Sequence, residues 1–332
     1  MASSERRTIQ IISHGPSCFD GVVAAATVAR FHERDRVLVA LAANNESDNT
    51  IRRLKPADEG GPHEVWITDL SWNSVATGEH LRRLAGGGAR IFWIDHHRSA
   101  ISRADAPEFD VPFAGKSLSE EFSAARLAFN FLKRRIRSLA ADSRRLGVLL
   151  PIVMLADDHD RWVHRIPDSP DWALAVQTLG GAESYREIMR LRSAVMSRKL
   201  ARALEAGRQA MNQSLKLARS TLTEKALANG LMLRAACCVG YSSEVAAELY
   251  KGQHQAVIAL FDMRSQGVSL RRSEDCKLDL SELARSLGGG GHPAAAGFAL
   301  DDLKRAPAEK LIEKLAVAIG AHEAQKSREI VG

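Results

Sequence analysis

Short apolar segments that each end at a polar side chain most limit how this chain can fold. The segments TIQIIS, EVWIT and RIFWI are followed directly by His14, Asp69 and Asp95. Helix-like stretches such as VVAAATVARF lie between them. Strands that alternate with helices favour a parallel sheet covered by helices on both faces. The first half of the chain is therefore predicted to be an α/β domain.

The second half repeats the pattern on a smaller scale. Segment 183–228 is highly charged, lacks proline and favours a helix, with a break near Gly207. From residue 229 short apolar runs and helix-like runs resume. We predict two α/β domains: an N-terminal domain (1–182) with a mostly parallel sheet and helices on both faces, and a smaller C-terminal domain (229–320). A long helical linker joins them, and residues 321–332 form a tail that frays.

Composition excludes several classes of protein. The chain has 332 residues, of which 45% are hydrophobic, so it is large enough for two packed cores. No run approaches the ~18 apolar residues of a membrane span, and the N-terminus lacks the apolar stretch of a signal peptide. We therefore expect a cytoplasmic protein without a membrane partner. The four cysteines fit neither a disulfide framework nor a CxxC motif. The net charge of +6 is spread along the chain, so it defines no binding surface.

Polar side chains at the carboxyl ends of the predicted strands are candidate metal ligands. The loop after the first strand carries His14, Cys18 and Asp20. Asp69 follows the second strand, and the DHH triplet (95–97) follows the third. Because the carboxyl ends of parallel strands meet at one edge of a sheet, we expect these side chains to lie close together.

A fourth acidic segment, LADDHDRW, ends a buried helix-like run and adds Asp157 and Asp160. Carboxylates and imidazoles without a CxxC motif suit manganese, magnesium or zinc. Each residue alone has a simpler explanation: Asp69 as a helix cap, Cys18 as a packing residue, the acidic segment as a solvated helix end. Trp162, just after this segment, indicates some burial. Adjacent imidazoles at a strand end are harder to explain, because burying them is costly unless they bind something.

Taken in order, these motifs resemble those of the DHH phosphoesterase superfamily. In addition, GVSLRR followed by DLSELARSLGGGGHPAAAGF (267–298) resembles the DHH-associated C-terminal domain. The resemblance spans residue 8 to about residue 300. It implies two bound divalent ions, usually Mn²⁺, with Mg²⁺ or Zn²⁺ as alternatives. It also implies a short single-stranded oligonucleotide or a small nucleotide as substrate, and it allows a homodimer.

The resemblance assigns roles to the candidate ligands. His14 and Asp20 would bind metal, and Asp69 would bridge the two ions. The carboxylate of the fourth motif aligns with either Asp157 or Asp160, and the aromatic residue that follows favours Asp160. Both stay open as ligands at this point.

Within the DHH triplet, His96 would bind metal and Asp95 would orient it, while His97 would face the substrate phosphate. One position departs from the usual motif, because Cys18 stands where the superfamily has an aspartate. A thiolate is a softer ligand than a carboxylate and would tilt the site toward zinc or iron.

The C-terminal domain is expected to grip the substrate. Glycines allow backbone N–H groups to approach a phosphate closely, and an arginine offers a planar fork for the same anion. The residues expected to bind substrate are Arg271, Arg272, Gly288, Gly289, Gly290, Gly291 and His292.

The sequence therefore predicts a metal-dependent phosphodiesterase or short-oligonucleotide exonuclease, acting through metal-bound water in a cleft between the domains. Aromatic residues are only 5% of the chain, so few stacking platforms exist for long single strands and short substrates are favoured. Two alternatives remain. One is an inorganic pyrophosphatase or polyphosphatase, and the other is a catalytically impaired nucleotide- or RNA-binding protein, motivated by Cys18.

Overall fold

The chain divides into two compact units, Met1–Gly207 and Arg208–Gly332. This boundary lies inside a helix, downstream of the N-terminal domain limit at residue 182 that the sequence indicated. The residues that a computed structural model of the chain describes are 7–56, 63–136, 146–300 and 307–331.

Five parallel strands form the sheet of the first unit, in the order β2-β1-β3-β4-β5. All six residues of the central strand β3 are buried, whereas the edge strand β2 is partly exposed. Continuous burial is typical of a parallel strand covered on both faces. The strands are β1 Thr8–His14, β2 Arg36–Ala42, β3 His63–Thr68, β4 Arg90–Asp95 and β5 Phe113–Leu118.

Helices cover both faces of this sheet. Ile11 of β1 belongs to a core that also contains residues of α1, α5, α6 and α7. Its neighbour Ile12 points to the opposite face and joins a second core, with α2 and α3. The helices are α1 Phe19–Phe31, α2 Ser47–Arg52, α3 Val75–Gly86, α4 Arg98–Ile101, α5 Ala124–Arg135, α6 Leu150–Asp160, α7 Ser169–Leu179 and α8 Gly181–Arg190, with 3-10 turns at Asn44–Glu46 and Pro107–Phe109.

The prediction of a single linker helix over 183–228 is wrong, because this segment contains the end of one helix, a second helix and a strand. Helix α8 ends at Arg190, α9 spans Arg198–Ser220, and the strand β6 (Thr223–Ala226) completes the segment. The guanidinium of Arg30 donates to the carbonyls of Met189 and Leu191, which satisfies the end of α8 by a tertiary contact invisible to local propensity. Helix α9 runs through Gly207 without a break.

A six-stranded mixed sheet forms the second unit, in the order β10-β11-β9-β8-β7-β6. Strands β7 and β8 are parallel, and the other neighbours are antiparallel. Its further elements are β7 Met232–Cys238, α10 Ser242–Tyr250, β8 Ala256–Asp262, β9 Gly267–Arg272, α11 Leu280–Ser286, β10 Gly290–His292, β11 Ala295–Ala299 and α12 Pro307–Val331.

The predicted class of two α/β domains is confirmed, and one boundary within it changes. Residues 321–331, expected to be a fraying tail, continue the backbone of α12. Across the described ranges, none of the helices combines the length and the apolar character that crossing a membrane requires.

Candidate metal centre

Asp69 lies at the centre of the candidate site, one residue beyond the end of β3. It is buried, and its backbone adopts a left-handed conformation with φ of 54°. Aspartate tolerates this region better than most residues. Its N–H donates to the carbonyl of Ile94 at 2.9 Å, which holds the turn against the end of β4.

The two carboxylate oxygens of Asp69 face different partners. Oδ2 lies 3.5 Å from Nδ1 of His14 and 3.4 Å from Sγ of Cys18. Oδ1 lies 3.2 Å from Nε2 of His96 and 3.8 Å from Nδ1 of His97. One carboxylate therefore joins two separate groups of ligand atoms, as a bridging ligand must.

A third group extends the cluster on the side of His96. Nε2 of His96 lies 3.5 Å from Oδ2 of Asp160, at the end of α6. Asp20, His96 and Asp160 can each offer one ligand atom with all three atoms within 4.8 Å of one another. The same holds for the groups around Asp69. The structure thus brings together His14, Cys18, Asp20, Asp69, His96, His97 and Asp160.

The turn from β1 into α1 positions the first ligands. Cys18 is the N-cap of α1, and its sulfur accepts from the N–H of Gly21 at 3.4 Å. A Cβ at Gly21 would lie 2.2 Å from the carbonyl oxygen of His14, so only glycine fits this close approach. The turn keeps His14 and Cys18 on the same side of Asp69.

Two carboxylates bind the N-terminus of α5. The oxygens of Asp20 accept from the N–H groups of Ala124 and Ala125 at 2.8 and 3.0 Å. Oδ1 of Asp157 accepts from the N–H of Ser123 at 2.8 Å. Among the described residues, Asp157 belongs to none of the ligand groups. Of the two alternatives in the fourth motif, Asp160 is the one beside His96.

Asp95 orients a different side chain from the one expected. Its Oδ1 lies 2.7 Å from Nδ1 of His97 and accepts from the backbone N–H groups of His96 and His97. Asp95 therefore fixes the ring of His97 directly, and it contacts His96 only through the backbone.

The charge balance of the cluster is unusual. Burial opposes the charged form of His96, but contacts with Asp69 and Asp160 overcome it and raise its pKa to about 10. The pKa of His97 likewise rises to about 9 through Asp95, against the effect of burial. Burial and the nearby charge of Asp69 raise the pKa of Asp160 to about 6. The carboxylates attract more positive charge than the surroundings supply.

Atoms without partners indicate what this site accommodates. Oδ1 of Asp69 and Nε2 of His96 are both buried, and they face each other as an ion pair at 3.2 Å without hydrogen-bond geometry. Leaving buried polar atoms unpaired is costly, and a divalent cation between them would satisfy both. The donor set of carboxylates and imidazoles with one thiol fits hard to borderline cations.

A rim of aromatic rings, which the sequence did not predict, follows Asp160. The acidic segment was expected to be partly buried, and Asp157 and Asp158 are buried, whereas Trp162 after them is 42% exposed and has a φ of 55°. His164 also has a positive φ, and its ring lies 4.4 Å from that of Trp162. Asp158 holds this loop by accepting from Arg165 and Ser169. From the sequence ADDHD alone it was not possible to tell which aspartate stabilises the following loop and which one faces the candidate metal site.

Arg271 lies half-buried on β9 in the second unit. Its guanidinium donates to the hydroxyls of Ser243 at 2.7 Å and Ser269 at 3.0 Å. Burial lowers the pKa of Arg271 and raises the pKa of Glu244, whose Oε2 is buried without a hydrogen bond. The contacts hold the guanidinium in one orientation.

Arg272 has a local structural contact. Its Nε donates to the carbonyl of Pro293 at 3.1 Å, and the same guanidinium binds the carbonyl of Cys276. These bonds pin the loop after β9 to the turn between β10 and β11. Substrate binding by Arg272 stays a prediction.

The glycine run forms a hairpin. Gly290 and His292 pair with Gly297 and Ala295 of β11. Gly288 has a φ of 81° where α11 ends, and a Cβ at Gly289 would lie 2.0 Å from the carbonyl oxygen of Gly297. Gly288, Gly290, Gly291 and His292 are exposed.

Most of the second unit matches a known family. Residues 235–320 match the family model of the DHHA1 domain. The match covers 86 of the 332 residues and lies within the second unit. The predicted resemblance to the DHH superfamily with its associated domain is thereby confirmed. No curated protein matches the sequence significantly.

Solved structures share the fold over nearly the whole chain, beyond the matched segment. A structure described as the DHH domain of a member of a family of ribosomal proteins has 16% identity and a TM-score of 0.67, covering 94% of this chain and 86% of its own. The pGpG-specific phosphodiesterase PggH of Vibrio cholerae has 14% identity and a TM-score of 0.51, covering 95% and 100%. RecJ of Thermus thermophilus in complex with Mn²⁺ has 15% identity and a TM-score of 0.54, covering 96% and 52%. At these identities the likeness concerns the fold.

Proposed function

We propose that this protein is a metal-dependent phosphodiesterase that hydrolyses short oligonucleotides or small nucleotides. The observation that carries the proposal is the division of ligands around Asp69. Oδ2 faces His14 and Cys18, while Oδ1 faces His96 and His97. One carboxylate with a ligand group on each oxygen suits a pair of divalent ions.

Asp69 would bridge the two ions, one held also by His14 and Cys18, and the other also by Asp20, His96 and Asp160. Mn²⁺ is the proposed ion, with Mg²⁺ or Zn²⁺ as alternatives. When bound, two such ions neutralise phosphate charge and make water acidic enough to attack phosphorus near neutral pH.

The protein itself contributes oriented charge. Asp95 fixes the ring of His97, whose raised pKa keeps it protonated at neutral pH. The imidazolium would donate a hydrogen bond to a phosphate oxygen and favour the transition state, in which charge on those oxygens increases. The carboxylate of Asp95 does not need to move for this role.

Substrate binding is proposed for the DHHA1 domain. Arg271, Ala295 and His292 are aligned across β9, β11 and β10, so their side chains share one face of the sheet. A guanidinium and an imidazole on one face, beside a hairpin of exposed glycines, suit an anionic substrate.

The names of the structural neighbours support a phosphoester or phosphoanhydride substrate. They include a pGpG phosphodiesterase, the exonuclease RecJ and an exopolyphosphatase-related protein of Bacteroides fragilis, which has 15% identity and a TM-score of 0.53 and covers 93% of this chain and 91% of its own. The exopolyphosphatase-related fold keeps pyrophosphate or polyphosphate hydrolysis as the alternative activity.

Hydrolysis assays with Mn²⁺ test the proposal, comparing a dinucleotide, pyrophosphate and long-chain polyphosphate. We expect turnover of the dinucleotide to mononucleotides, by cleavage of one P–O bond with addition of water. Asp69→Asn should lower kcat by about 100-fold or more, because it removes the bridging charge. Faster turnover of pyrophosphate or polyphosphate would favour the alternative.

A matched pair of variants separates the metal centre from the fold. Asp160→Asn should lose one bound ion and most activity, whereas Asp157→Asn should keep both ions and change stability by less than about 1 kcal/mol, because the amide oxygen of asparagine can still accept from Ser123. Metal content is measured by elemental analysis, and stability by denaturant titration. Tight dinucleotide binding without turnover at any metal concentration would instead identify an impaired binding protein.

A further inference from the structure

A cluster of positive charge lies at the end of the first sheet opposite the candidate metal centre. Arg90 begins β4, whereas Asp95 of the metal centre ends it. Five residues of strand separate them by about 17 Å. Arg90 lines a cavity of about 530 Å³ together with Ala114, Phe131, Arg134 and Arg135.

The charges around this cavity are unbalanced. Its described lining residues include three arginines and no acid. Oε1 of the buried Glu64 lies 3.3 Å from Arg90, but it also lies 3.6 Å from Arg7. Within the described chain, Arg134 and Arg135 form no ion pair or hydrogen bond. The single carboxylate of Glu64 thus lies near three guanidinium groups, those of Arg7, Arg90 and Arg135.

Aromatic rings hold the guanidinium groups in place. The guanidinium carbon of Arg135 lies 4.6 Å from the ring centroid of Phe92 and 5.6 Å from that of Phe131. Arg90 lies 5.4 Å from the ring of Phe92. Cation–π contacts of this kind stabilise the charges.

Burial adds to the cost of this arrangement. The pKa of Arg135 is lowered first by burial, and the nearby charges of Arg90 and Arg7 act in the same direction against Glu64. An anion between the guanidinium groups would offset this repulsion.

We propose that this cavity binds the phosphate group of a small phosphomonoester of nucleotide size. Three guanidinium groups provide several donors for the phosphate oxygens, and the ring of Phe131 offers an apolar wall. The volume is within the usual range for small-molecule sites, ~300–1,000 Å³. The site is distinct from both the metal centre and the DHHA1 domain.

Calorimetric titration with AMP tests this binding. The protein is kept free of metal in EDTA and carries Arg271→Ala, so that neither proposed substrate site contributes. We expect AMP and inorganic phosphate to bind and adenosine not to bind. Arg134→Ala should weaken AMP binding by about tenfold, since it removes a charge-assisted contact. Arg134 is exposed, so the variant is expected to fold.

Lys133→Ala is the matched control, because Lys133 is an exposed cation on the same helical turn and does not line the cavity. Its effect on AMP affinity should be less than about twofold. Equal weakening by the two substitutions would overturn the proposal in favour of diffuse attraction. Absence of AMP binding at concentrations up to about 10 mM would also overturn the proposal, because the dissociation constant of a specific site lies far below that concentration. The Asp69→Asn substitution tests the phosphodiesterase proposal and should not change AMP binding in this cavity. Each proposal can therefore be contradicted without the other.

Discussion

Cys18 stands where the DHH motif that this sequence resembles has an aspartate. Its sulfur caps α1 by accepting from Gly21 and also contacts Asp69. Burial and the nearby charge of Asp69 raise the pKa of the thiol well above its ordinary value. Without metal, the thiol stays protonated. A sulfur ligand on one side of Asp69 would make the two proposed ion positions chemically unequal.

The substitution Cys18→Asp is expected to change metal preference. A carboxylate favours Mn²⁺ over Zn²⁺ relative to a thiolate, so the ratio of zinc affinity to manganese affinity should fall by about tenfold or more. Competitive titration of the metal-free protein measures this ratio. Cys18→Ser is the control for the capping of α1, because serine has a similar size and its oxygen can accept from Gly21 in place of the sulfur. An unchanged ratio in Cys18→Asp would show that the sulfur does not bind metal.

Metal binding should depend on pH through His96. The free protein holds His96 protonated, with a pKa of about 10, and a metal ligand must be neutral. Binding therefore releases a proton, so affinity should rise with pH, by about tenfold per pH unit for one proton below that pKa. Manganese titrations between about pH 6 and pH 8 measure the slope. An affinity independent of pH would contradict the assignment of His96 as a ligand.

At the level of elements, the hairpin of β10 and β11 explains why glycines follow one another in this segment. Gly290, Gly291 and His292 are strand residues paired with β11. Gly289 lies against the carbonyl of Gly297 with no room for a side chain. The run is therefore an ordered packing motif whose backbone is exposed on one side.

Neighbouring glycines in this hairpin should respond differently to alanine. Gly289→Ala places a Cβ 2.0 Å from the carbonyl of Gly297, so the strands must separate. We expect a loss of about 1–3 kcal/mol in the free energy of unfolding, typical of overpacking. Gly290→Ala meets nothing within 4 Å and should change stability little. Denaturant unfolding compares the two, and equal losses would show that the hairpin is not packed in this way.

At the scale of the whole molecule, periodicity was enough to predict two α/β domains, because buried parallel strands leave continuous apolar runs. The ends of those runs also led to His14, Asp69 and His96. Local patterns could not separate Asp160 from Asp157, since that difference depends on where the N-terminus of α5 lies. They also missed the end of α8, which Arg30 stabilises from far along the chain, and the contact of Asp95 with His97.

Because the proposed metal ligands and the proposed substrate-binding arginine lie in different units, substitutions in the two units should affect different kinetic constants. The ligand cluster belongs to the first unit and Arg271 to the second. Arg271→Ala should raise KM for a dinucleotide by about tenfold or more, the loss of a charged hydrogen bond, and change kcat far less. Steady-state kinetics with Mn²⁺ measure both constants, with Arg285→Ala, an exposed arginine of the same unit, as the control. An unchanged KM would remove Arg271 from substrate binding.

The two hydrogen bonds that Asp20 accepts from backbone N–H groups at the start of α5 give the protein a natural spectroscopic reporter. Any ion that draws the carboxylate toward itself must weaken its hold on the N–H groups of Ala124 and Ala125. Proton resonances of these two amides would then shift upfield in step with occupancy. Loading of the centre could thus be followed by NMR in real time with a diamagnetic ion such as Zn²⁺, with no substrate present.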